Sequence, residues 1–336
     1  MILVTGGTGL LGSHLLLALV REHEEVLAVK RPSSDLEEVR KVFSRHSSEG
    51  NELFRLIDWV DADLMDPLGI EPLLLDVDRI YHCAGMVSFS RRDRQRMIDF
   101  NVLSTEYLVN TCLRVGGKRL VHVSSSSAIG KAPPGEKAHE DLIWAEAKDH
   151  TAYSNSKFRS EMEVWRGMEE GLDALIVNPS IILGDGFWKR GSSSLFHRVA
   201  GGMRTSTPGM TGYVGVGDVV EAMVLLMESS LRGERYILSE GDYTYSEMME
   251  KISAGLGRPV KMKHIGQGML LTLARLDGLR ELMTGNRVLT PEQAVAAFSS
   301  SMFSSDKIQR EFAFSFSPID KVVQQVATHY RSEFPK

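Results

Sequence analysis

A glycine-rich turn that directly follows the first apolar run constrains the fold of this chain most strongly. Residues 2–4 are apolar, residues 5–12 include four glycines, and residues 10–20 have helical character. Glycines let a backbone bend tightly and approach a pyrophosphate, and the first N–H groups of the next helix then face the phosphates. The spacing Gly7-x-Gly9-x-x-Gly12 therefore predicts a dinucleotide-binding turn between a strand and a helix.

The first half of the chain alternates strand-like and helix-like segments, which predicts an α/β fold with a Rossmann-type doubly wound parallel sheet. The predicted strands are residues 2–4, 26–29, 54–60, 79–83, 119–123 and 174–177, and the predicted helices among them are 10–20, 35–43, 97–113 and 150–170.

The pattern changes after Pro179. Residues 184–213 are rich in Gly and Ser and are predicted to be loop. Helices are expected at 218–227, 244–256 and 269–282, a strand at 236–239, and short helices from 291 to 334. We therefore expect a dinucleotide-binding domain from residues 1–178 plus about 214–240 and a smaller, mostly helical C-terminal substrate lobe from 179–213 and 241–336.

Composition excludes several classes of protein. The net charge is −5 and Lys and Arg form no long run, which argues against a nucleic-acid partner. There is no uninterrupted apolar run of 18 residues and no charged leader, so we expect a cytoplasmic protein without stable membrane insertion. The cysteines Cys83 and Cys112 are expected to be reduced thiols, and no metal site is predicted. His14 and His82 are expected to be structural residues beside the cofactor turn.

The end of the second strand bears on the choice of cofactor. An acidic side chain there binds the 2′-hydroxyl of NAD, whereas a basic one suits the 2′-phosphate of NADP. Lys30 and Arg31 occupy this place, which favours NADP(H) over NAD(H).

Tyr153 and Lys157 form the clearest candidate for chemistry. Residues i and i+4 share one face of a helix, so the phenol and the ammonium are able to act at one site. A nearby cation favours the phenolate, so we expect Lys157 to lower the pKa of Tyr153 and to make it a general acid or base. The serine run 124–127 follows a predicted strand at its carboxyl end, where ligands of such sheets bind.

These motifs together resemble the extended, epimerase/dehydratase-like branch of the short-chain dehydrogenase/reductase superfamily. The resemblance spans roughly residues 1–240, and within the branch it is nearest to dihydroflavonol-reductase-like and 3β-hydroxysteroid-dehydrogenase-like proteins. It is carried by the segments Thr5–Gly12, Asp63-Leu64, His82-Cys83-Ala84-Gly85, Met86-Val87-Ser88-Phe89, Asn101–Thr105, Val123-Ser124-Ser125, Tyr153–Lys157, Asn178-Pro179-Ser180 and Val216–Val220.

The resemblance implies a role for each matched residue. Tyr153 would exchange a proton with the substrate oxygen, Lys157 would hold the nicotinamide ribose, and Ser125, or alternatively Ser126, would orient the substrate oxygen. Asn101 joins this catalytic set. The implied cofactor contacts are Gly6, Thr8, Gly9, Leu10, Leu11, Lys30, Arg31, Asp63, Leu64, Cys83, Ala84, Gly85, Tyr153, Lys157, Asn178, Pro179 and Ser180. A homodimer through the helices that carry Asn101 and Tyr153 is also implied.

One departure from the family's sequence pattern narrows the type of reaction that we expect. Dehydratases of this branch carry an Asp-Glu pair after the catalytic hydroxyl residue, and this chain has Ser126-Ser127 there. Simple hydride transfer to or from a small substrate is therefore expected, with NADP(H). Trp188, Phe187, Phe196 and Met203 suggest an apolar substrate, or alternatively a small core under the loops. A nucleotide-sugar epimerase and a non-catalytic NADP-binding sensor are the competing functions.

Overall fold

Parallel strand pairing organises the first two thirds of the chain. The computed structural model describes residues 1–88, 90–145, 150–284 and 289–335. Their strands are β1 (Ile2–Thr5), β2 (Val26–Lys30), β3 (Ile57–Asp61), β4 (Arg79–His82), β5 (Arg119–Val123), β6 (Asp173–Pro179), β7 (Ile181–Leu183), β8 (Thr205–Ser206), β9 (Met210–Gly215), β10 (Glu234–Leu238), β11 (Gly241–Thr244) and β12 (Lys263–His264).

The central sheet has seven strands in the order β3-β2-β1-β4-β5-β6-β10, and every pair is parallel. The order reverses beside β1, and the carboxyl ends of β1, β4, β5 and β6 meet at one edge. Such a switch point is where open α/β sheets bind ligands. The predicted Rossmann-type doubly wound sheet is therefore confirmed.

Helices connect and cover the strands. They are α1 (Leu10–Arg21), α2 (Glu37–His46), α3 (Gly50–Arg55), α4 (Pro67–Leu74), α5 (Arg94–Val115), α6 (Ala152–Glu169), α7 (Ser194–Ala200), α8 (Val216–Glu228), α9 (Tyr245–Gly255), α10 (Gln267–Thr284), α11 (Pro291–Ala296), α12 (Asp306–Phe312) and α13 (Ile319–Glu333). Among the helices of the described ranges, none is long and apolar enough to cross a membrane.

The alternation of side chains along each strand divides the core into two layers. On one face Leu3, Ile80 and Leu120 pack with Leu108 of α5 and Val164 of α6. The other face of the same strands supplies a larger cluster that includes α1 and α8, with members such as Val4, Tyr81, Val121, Leu16 and Val219. Helices therefore bury both faces of the sheet, as a parallel sheet requires.

The C-terminal lobe has a core of its own and more regular structure than the sequence indicated. Residues 184–213 were expected to be loop, but they contain α7, β8 and most of β9. β9 pairs in parallel with β7 and antiparallel with β11. Because its partners are distant in sequence, local composition does not reveal this strand. α7, α9 and α13 pack around Phe196, Met248 and Val326.

The predicted strand at residues 54–60 is wrong in its first part. Residues 50–55 form α3, and β3 begins only at Ile57. Phe54 turns inward and packs edge-on against Phe43 of α2, with ring centroids 5.6 Å apart. An apolar run does not distinguish a buried helical turn from a strand, and here packing against α2 decides. The division into domains and the dimer stay predictions.

The turn between β1 and α1 depends on one glycine. Gly6 has φ +71°, and a Cβ there would lie 2.5 Å from Ala84 N and 2.6 Å from the Cys83 carbonyl carbon. Both atoms belong to the backbone just after β4, which cannot withdraw without disturbing the sheet. Only glycine fits both the backbone conformation and this close approach.

We expect Gly6→Ala to lower the free energy of unfolding by at least about 1–2 kcal/mol, the cost of a left-handed conformation, before the clash is added. Gly217→Ala is the control, because it lies in α8 with no atom within 4 Å of a new Cβ. Helix propensity predicts a small gain there, about 0.5–1 kcal/mol. Urea denaturation measures both variants, and equal stabilities would contradict the assignment.

Candidate active site

The glycine turn leaves the start of α1 open toward the sheet edge. Gly9 is the N-cap residue, with no side-chain cap and no acidic residue in the first turn. Gly12 packs so closely that a Cβ would lie 2.3 Å from Gly6 O. The first N–H groups of the helix, at Leu10 and Leu11, are thus not capped by a side chain. A negatively charged phosphate suits such a helix start.

The end of β2 holds the two basic residues expected to select the cofactor, and the structure separates them. Lys30 forms an ion pair with Asp61, its register partner on β3. Arg31 is exposed, and its backbone N–H donates to Ser34 Oγ (3.2 Å). Nearby, Asp63 Oδ1 accepts from Met65 N (3.0 Å). Arg31 is therefore the member of the pair that is exposed, while Lys30 is paired.

The segment after β4 approaches the catalytic helix. A Cβ on Gly85 would lie 3.9 Å from Lys157 Nζ and 3.8 Å from Asn101 Oδ1. Asn101 fixes this approach, because Oδ1 accepts from Met86 N (2.7 Å) while Nδ2 donates to Met86 O (3.0 Å) and to Ser156 Oγ (2.9 Å). Asn101 thus positions the loop against α6, and its membership of the catalytic set stays a prediction. Phe89 lies outside the described residues.

Tyr153, Lys157 and Ser125 meet beyond the ends of β5 and β6. Thr151 caps α6 by accepting from Ser154 N (3.0 Å), so the helix begins immediately before Tyr153. The Tyr153 hydroxyl is hydrogen-bonded to Ser125. Lys157 is buried, and its Nζ donates to Val123 O at the end of β5 (2.8 Å). Of the two serines left open by the sequence, the contact with Tyr153 favours Ser125.

The electrostatics of this group differ from the sequence-based expectation. Burial raises the pKa of Tyr153, and the hydrogen bond with Ser125 acts in the opposite direction. The expectation that Lys157 lowers this pKa is wrong for the structure described. Burial lowers the pKa of Lys157 itself to about 8, although the Glu161 carboxylate opposes the shift. The lysine therefore changes its charge within reach of neutral pH, while the phenol keeps its proton.

Glu161 is the main residue that the sequence analysis missed. It is buried one turn beyond Lys157, and its carboxylate accepts from Ser124 Oγ (2.6 Å) and Asn178 Nδ2 (2.7 Å) on one oxygen. The other oxygen accepts from Arg235 Nη1 (2.9 Å) and Trp165 Nε1 (3.2 Å). The spacing of residues 153, 157 and 161 along one helix face was a signal that could have revealed it.

Hydrogen bonds also fix the last residues of β6 and the residue that follows them. Asn178 Nδ2 also donates to Ser125 O (3.1 Å), whereas its buried Oδ1 has no hydrogen-bond partner within the described ranges. Pro179 pairs with Leu238 of β10, and Ser180 N donates to Leu238 O (3.0 Å). The end of β6 is therefore held by hydrogen bonds to Glu161, to Ser125 and to β10.

His82 is buried and neutral, in agreement with its expected structural role. Its Nδ1 lies 2.7 Å from Thr5 Oγ1, and its Nε2 lies 3.1 Å from Thr105 Oγ1. Burial, with a smaller effect of Lys157, lowers the pKa of His82 to about 3. This chain of polar contacts joins β1 and β4 to α5.

The aromatic residues that suggested an apolar substrate do not line this site. Phe187 is buried in the large cluster beside the central sheet, while Trp188 and Phe196 are buried in the lobe core. Trp188 Nε1 donates to Glu333 Oε2 (2.7 Å), and its ring meets Tyr330 edge-on. The alternative, a small core under the loops, is the correct interpretation for Trp188 and Phe196, whereas Phe187 belongs to the main core.

Comparison with known proteins places this arrangement in a family. The sequence profile of the NAD dependent epimerase/dehydratase family matches residues 2–239, which is more than half of the chain. The chain belongs to this family. It is an extended short-chain dehydrogenase/reductase, as the sequence predicted, and an enzyme of the NAD(P)-dependent oxidoreductase type.

Several members of the family are similar over most of the chain. Sterol demethylase protein B of Methylococcus capsulatus is 32% identical over 259 residues, which cover 76% of this chain and 75% of that protein. A putative dihydroflavonol 4-reductase of Synechocystis is 26% identical and covers 97% and 93%. The solved structure of gox2253 superposes with a TM-score of 0.81 at 26% identity and covers 99% and 98%.

We expect Glu161→Gln to lower the free energy of unfolding by about 3–5 kcal/mol, because it leaves the Arg235 charge buried without its partner. The matched control is Glu163→Gln on the same helix. Glu163 pairs with Arg166 at the surface (3.0 Å), and this change is expected to cost less than about 1 kcal/mol. Urea denaturation compares the two, and similar losses would contradict the structural importance of Glu161.

Proposed function

We propose that the enzyme transfers hydride between NADP(H) and the carbonyl or secondary alcohol carbon of a small, fairly apolar compound. The observation that carries the proposal is the convergence of the Tyr153 hydroxyl, Ser125 and the buried Lys157 ammonium at the sheet edge. When bound, the nicotinamide supplies or accepts the hydride. The side chains then have to bind the substrate oxygen and move one proton.

Tyr153 suits the role of general acid in the direction of reduction. Because burial raises its pKa, the phenol keeps its proton near neutral pH and is able to donate it to the forming alkoxide. Ser125 orients the same oxygen through its hydroxyl. Lys157, whose Nζ is held on Val123 O at the end of β5, would hold the nicotinamide ribose. In the direction of oxidation the same groups act in reverse.

The residues along the sheet edge fit a dinucleotide. The uncapped start of α1, with Gly6, Thr8, Gly9, Leu10 and Leu11, would receive the phosphates. Asp63 and Leu64 would lie by the adenine. Cys83, Ala84 and Gly85 would pass along the ribose, with no side chain on Gly85 to separate it from Lys157. The free Oδ1 of Asn178, with Pro179 and Ser180 behind it, would meet the nicotinamide end.

The preference for NADP(H) rests on Arg31. Lys30 is already neutralised by Asp61, so it contributes less than the sequence suggested. The exposed guanidinium of Arg31 is free to form a charge-assisted pair with a 2′-phosphate, which NAD lacks.

We base the apolar character of the substrate on helix α10 rather than on the aromatic residues named in the sequence analysis. Helix α10 exposes four large apolar side chains, and it is tied to the loop beyond Gly85 by the contact of Ser90 Oγ with Glu281 Oε1 (3.4 Å). The relative named sterol demethylase protein B makes a sterol-like alcohol or ketone a sensible member of a substrate panel. The exposed residues are Met269, Leu273, Leu276 and Leu279.

We expect Tyr153→Phe to lower kcat by about 10²–10⁴-fold on the best compound of a panel of sterols, flavonoid ketones and aldehydes, while NADPH binding is kept. Tyr107→Phe on α5 is the control and is expected to keep full turnover. NADPH oxidation measures the rates, and cofactor fluorescence measures binding. An unchanged rate in Tyr153→Phe would remove this residue from its role, and turnover of UDP-sugars alone would favour an epimerase.

We expect Arg31→Ala to weaken NADPH binding roughly tenfold to a hundredfold, the value of one hydrogen-bonded charge, and to leave NADH binding unchanged. Arg55→Ala, an exposed arginine at the end of α3, serves as the control. Fluorescence titration gives both dissociation constants. Tighter binding of NADH than NADPH by the natural chain would contradict the preference.

A further inference from the structure

Three histidines converge on one buried carboxylate outside the candidate active site. Asp185 lies just after β7, and its Oδ1 is 2.8 Å from His46 Nε2, 3.3 Å from His14 Nε2 and 3.3 Å from His329 Nδ1. His14 belongs to α1, His46 ends α2 and His329 belongs to α13. The site therefore joins the glycine-turn helix to the C-terminal lobe.

The tautomer that His14 has to adopt places two hydrogen-bond acceptors opposite each other. Its Nδ1 lies 2.8 Å from Leu10 O, and because a carbonyl oxygen only accepts, Nδ1 carries the proton. Nε2 of the neutral ring then holds a lone pair, yet it faces the Asp185 carboxylate in a buried position. Two acceptors facing each other require a positive charge on one of them or between them.

His329 shows that one added proton does not satisfy the cluster. Its Nδ1 is buried 3.3 Å from the same Asp185 oxygen, but within the described ranges it has no hydrogen-bond partner of acceptable geometry. A proton on His14 would satisfy that ring alone. A single cation held by His14 Nε2, His46 Nε2 and Asp185 Oδ1 would place its charge between both rings and the carboxylate.

The surroundings leave Asp185 Oδ1 available to such a cation. Arg45 Nη1 donates to the other oxygen, Oδ2 (2.7 Å), and the charge of Arg45 is matched by Glu333. One oxygen of the carboxylate is therefore used by an arginine, while the other faces the histidine nitrogens.

We propose that His14, His46 and Asp185 bind a divalent transition-metal ion of the zinc type, with a water molecule as the fourth ligand. Bonds of about 2.0–2.1 Å to a tetrahedral ion place ligand atoms about 3.3 Å apart, close to the spacing seen around Oδ1. The ligand atoms of His14, His46 and Asp185 all lie within 4.8 Å of one another. A hydrogen bond from the second ring nitrogen to a backbone carbonyl, as in His14, is usual for a ligating histidine.

The ion has a structural role in this proposal. It joins α1 and α2 beside the dinucleotide turn to the segment after β7. The sequence offered no sign of it, because the ligands His14, His46 and Asp185 lie far apart in the chain and follow no recognised spacing. The proposal does not depend on the proposed hydride transfer.

Titration of the chelator-treated full chain with Co²⁺ alone tests the site. We expect one equivalent to bind and to give the visible absorption of a four-coordinate Co²⁺ ion with nitrogen and oxygen ligands. His46→Gln is expected to weaken Co²⁺ binding at least about tenfold. His197→Gln is the matched control, since His197 Nδ1 contacts Tyr330 of α13 (3.0 Å) outside the cluster, and it should bind like the natural chain.

Zn²⁺ should raise the Tm of the natural chain and of His197→Gln, but not that of His46→Gln. If His46→Gln fails to fold by circular dichroism, the Co²⁺ spectrum of the natural chain decides the question. Absence of the four-coordinate spectrum at one equivalent of Co²⁺ would overturn the proposal, as would equal binding by all variants. Either result would assign the positive charge to a proton on His14.

Discussion

The buried carboxylate of Glu161 is the interaction on which the geometry of the candidate site depends. It binds Ser124 at the end of β5 and Asn178 at the end of β6, and it does so from the helix that carries Tyr153 and Lys157. Three separate segments are thereby held at fixed spacing. The cost of burying its charge is offset by Arg235, which itself donates to backbone carbonyls of residues 140 and 142.

Burial also sets the pKa values of Lys157 and Tyr153. Lys157 lies under the sheet edge and donates to a strand-end carbonyl, so desolvation reduces its affinity for a proton. The pKa of Tyr153 is raised instead of lowered, since the neutral form that burial favours is the protonated one for a phenol. Near neutral pH the phenol therefore keeps its proton, and the lysine on the same helix face changes its charge near pH 8. The i,i+4 spacing predicted that Tyr153 and Lys157 share one helix face, but it did not predict that the pKa of Tyr153 is raised.

The sequence predicted the alternating core of the fold well, and it predicted the lobe poorly. Glycine, strand and helix signals in residues 1–180 are local, and they mark β1, α1 and β5 nearly to the residue. β9 depends on pairing with β7 and β11, and α3 depends on packing against α2, so neither has a local signature. Trp188 and Phe196 show the same limit, because composition identifies an aromatic side chain but not the surface that it covers.

By itself, the sequence determined the Rossmann-type sheet, the glycine turn, the family and the Tyr153–Lys157 helix face, because each of these rests on short spacings along the chain. Only the tertiary structure decided that Lys30 is neutralised by Asp61, that Ser125 rather than Ser126 meets Tyr153, and that Glu161 and Arg235 pair behind them. It also brought His14, His46 and His329 to Asp185. The physical reason is that charge, burial and pKa depend on neighbours in space, and chain folding brings those neighbours from positions that no local spacing links.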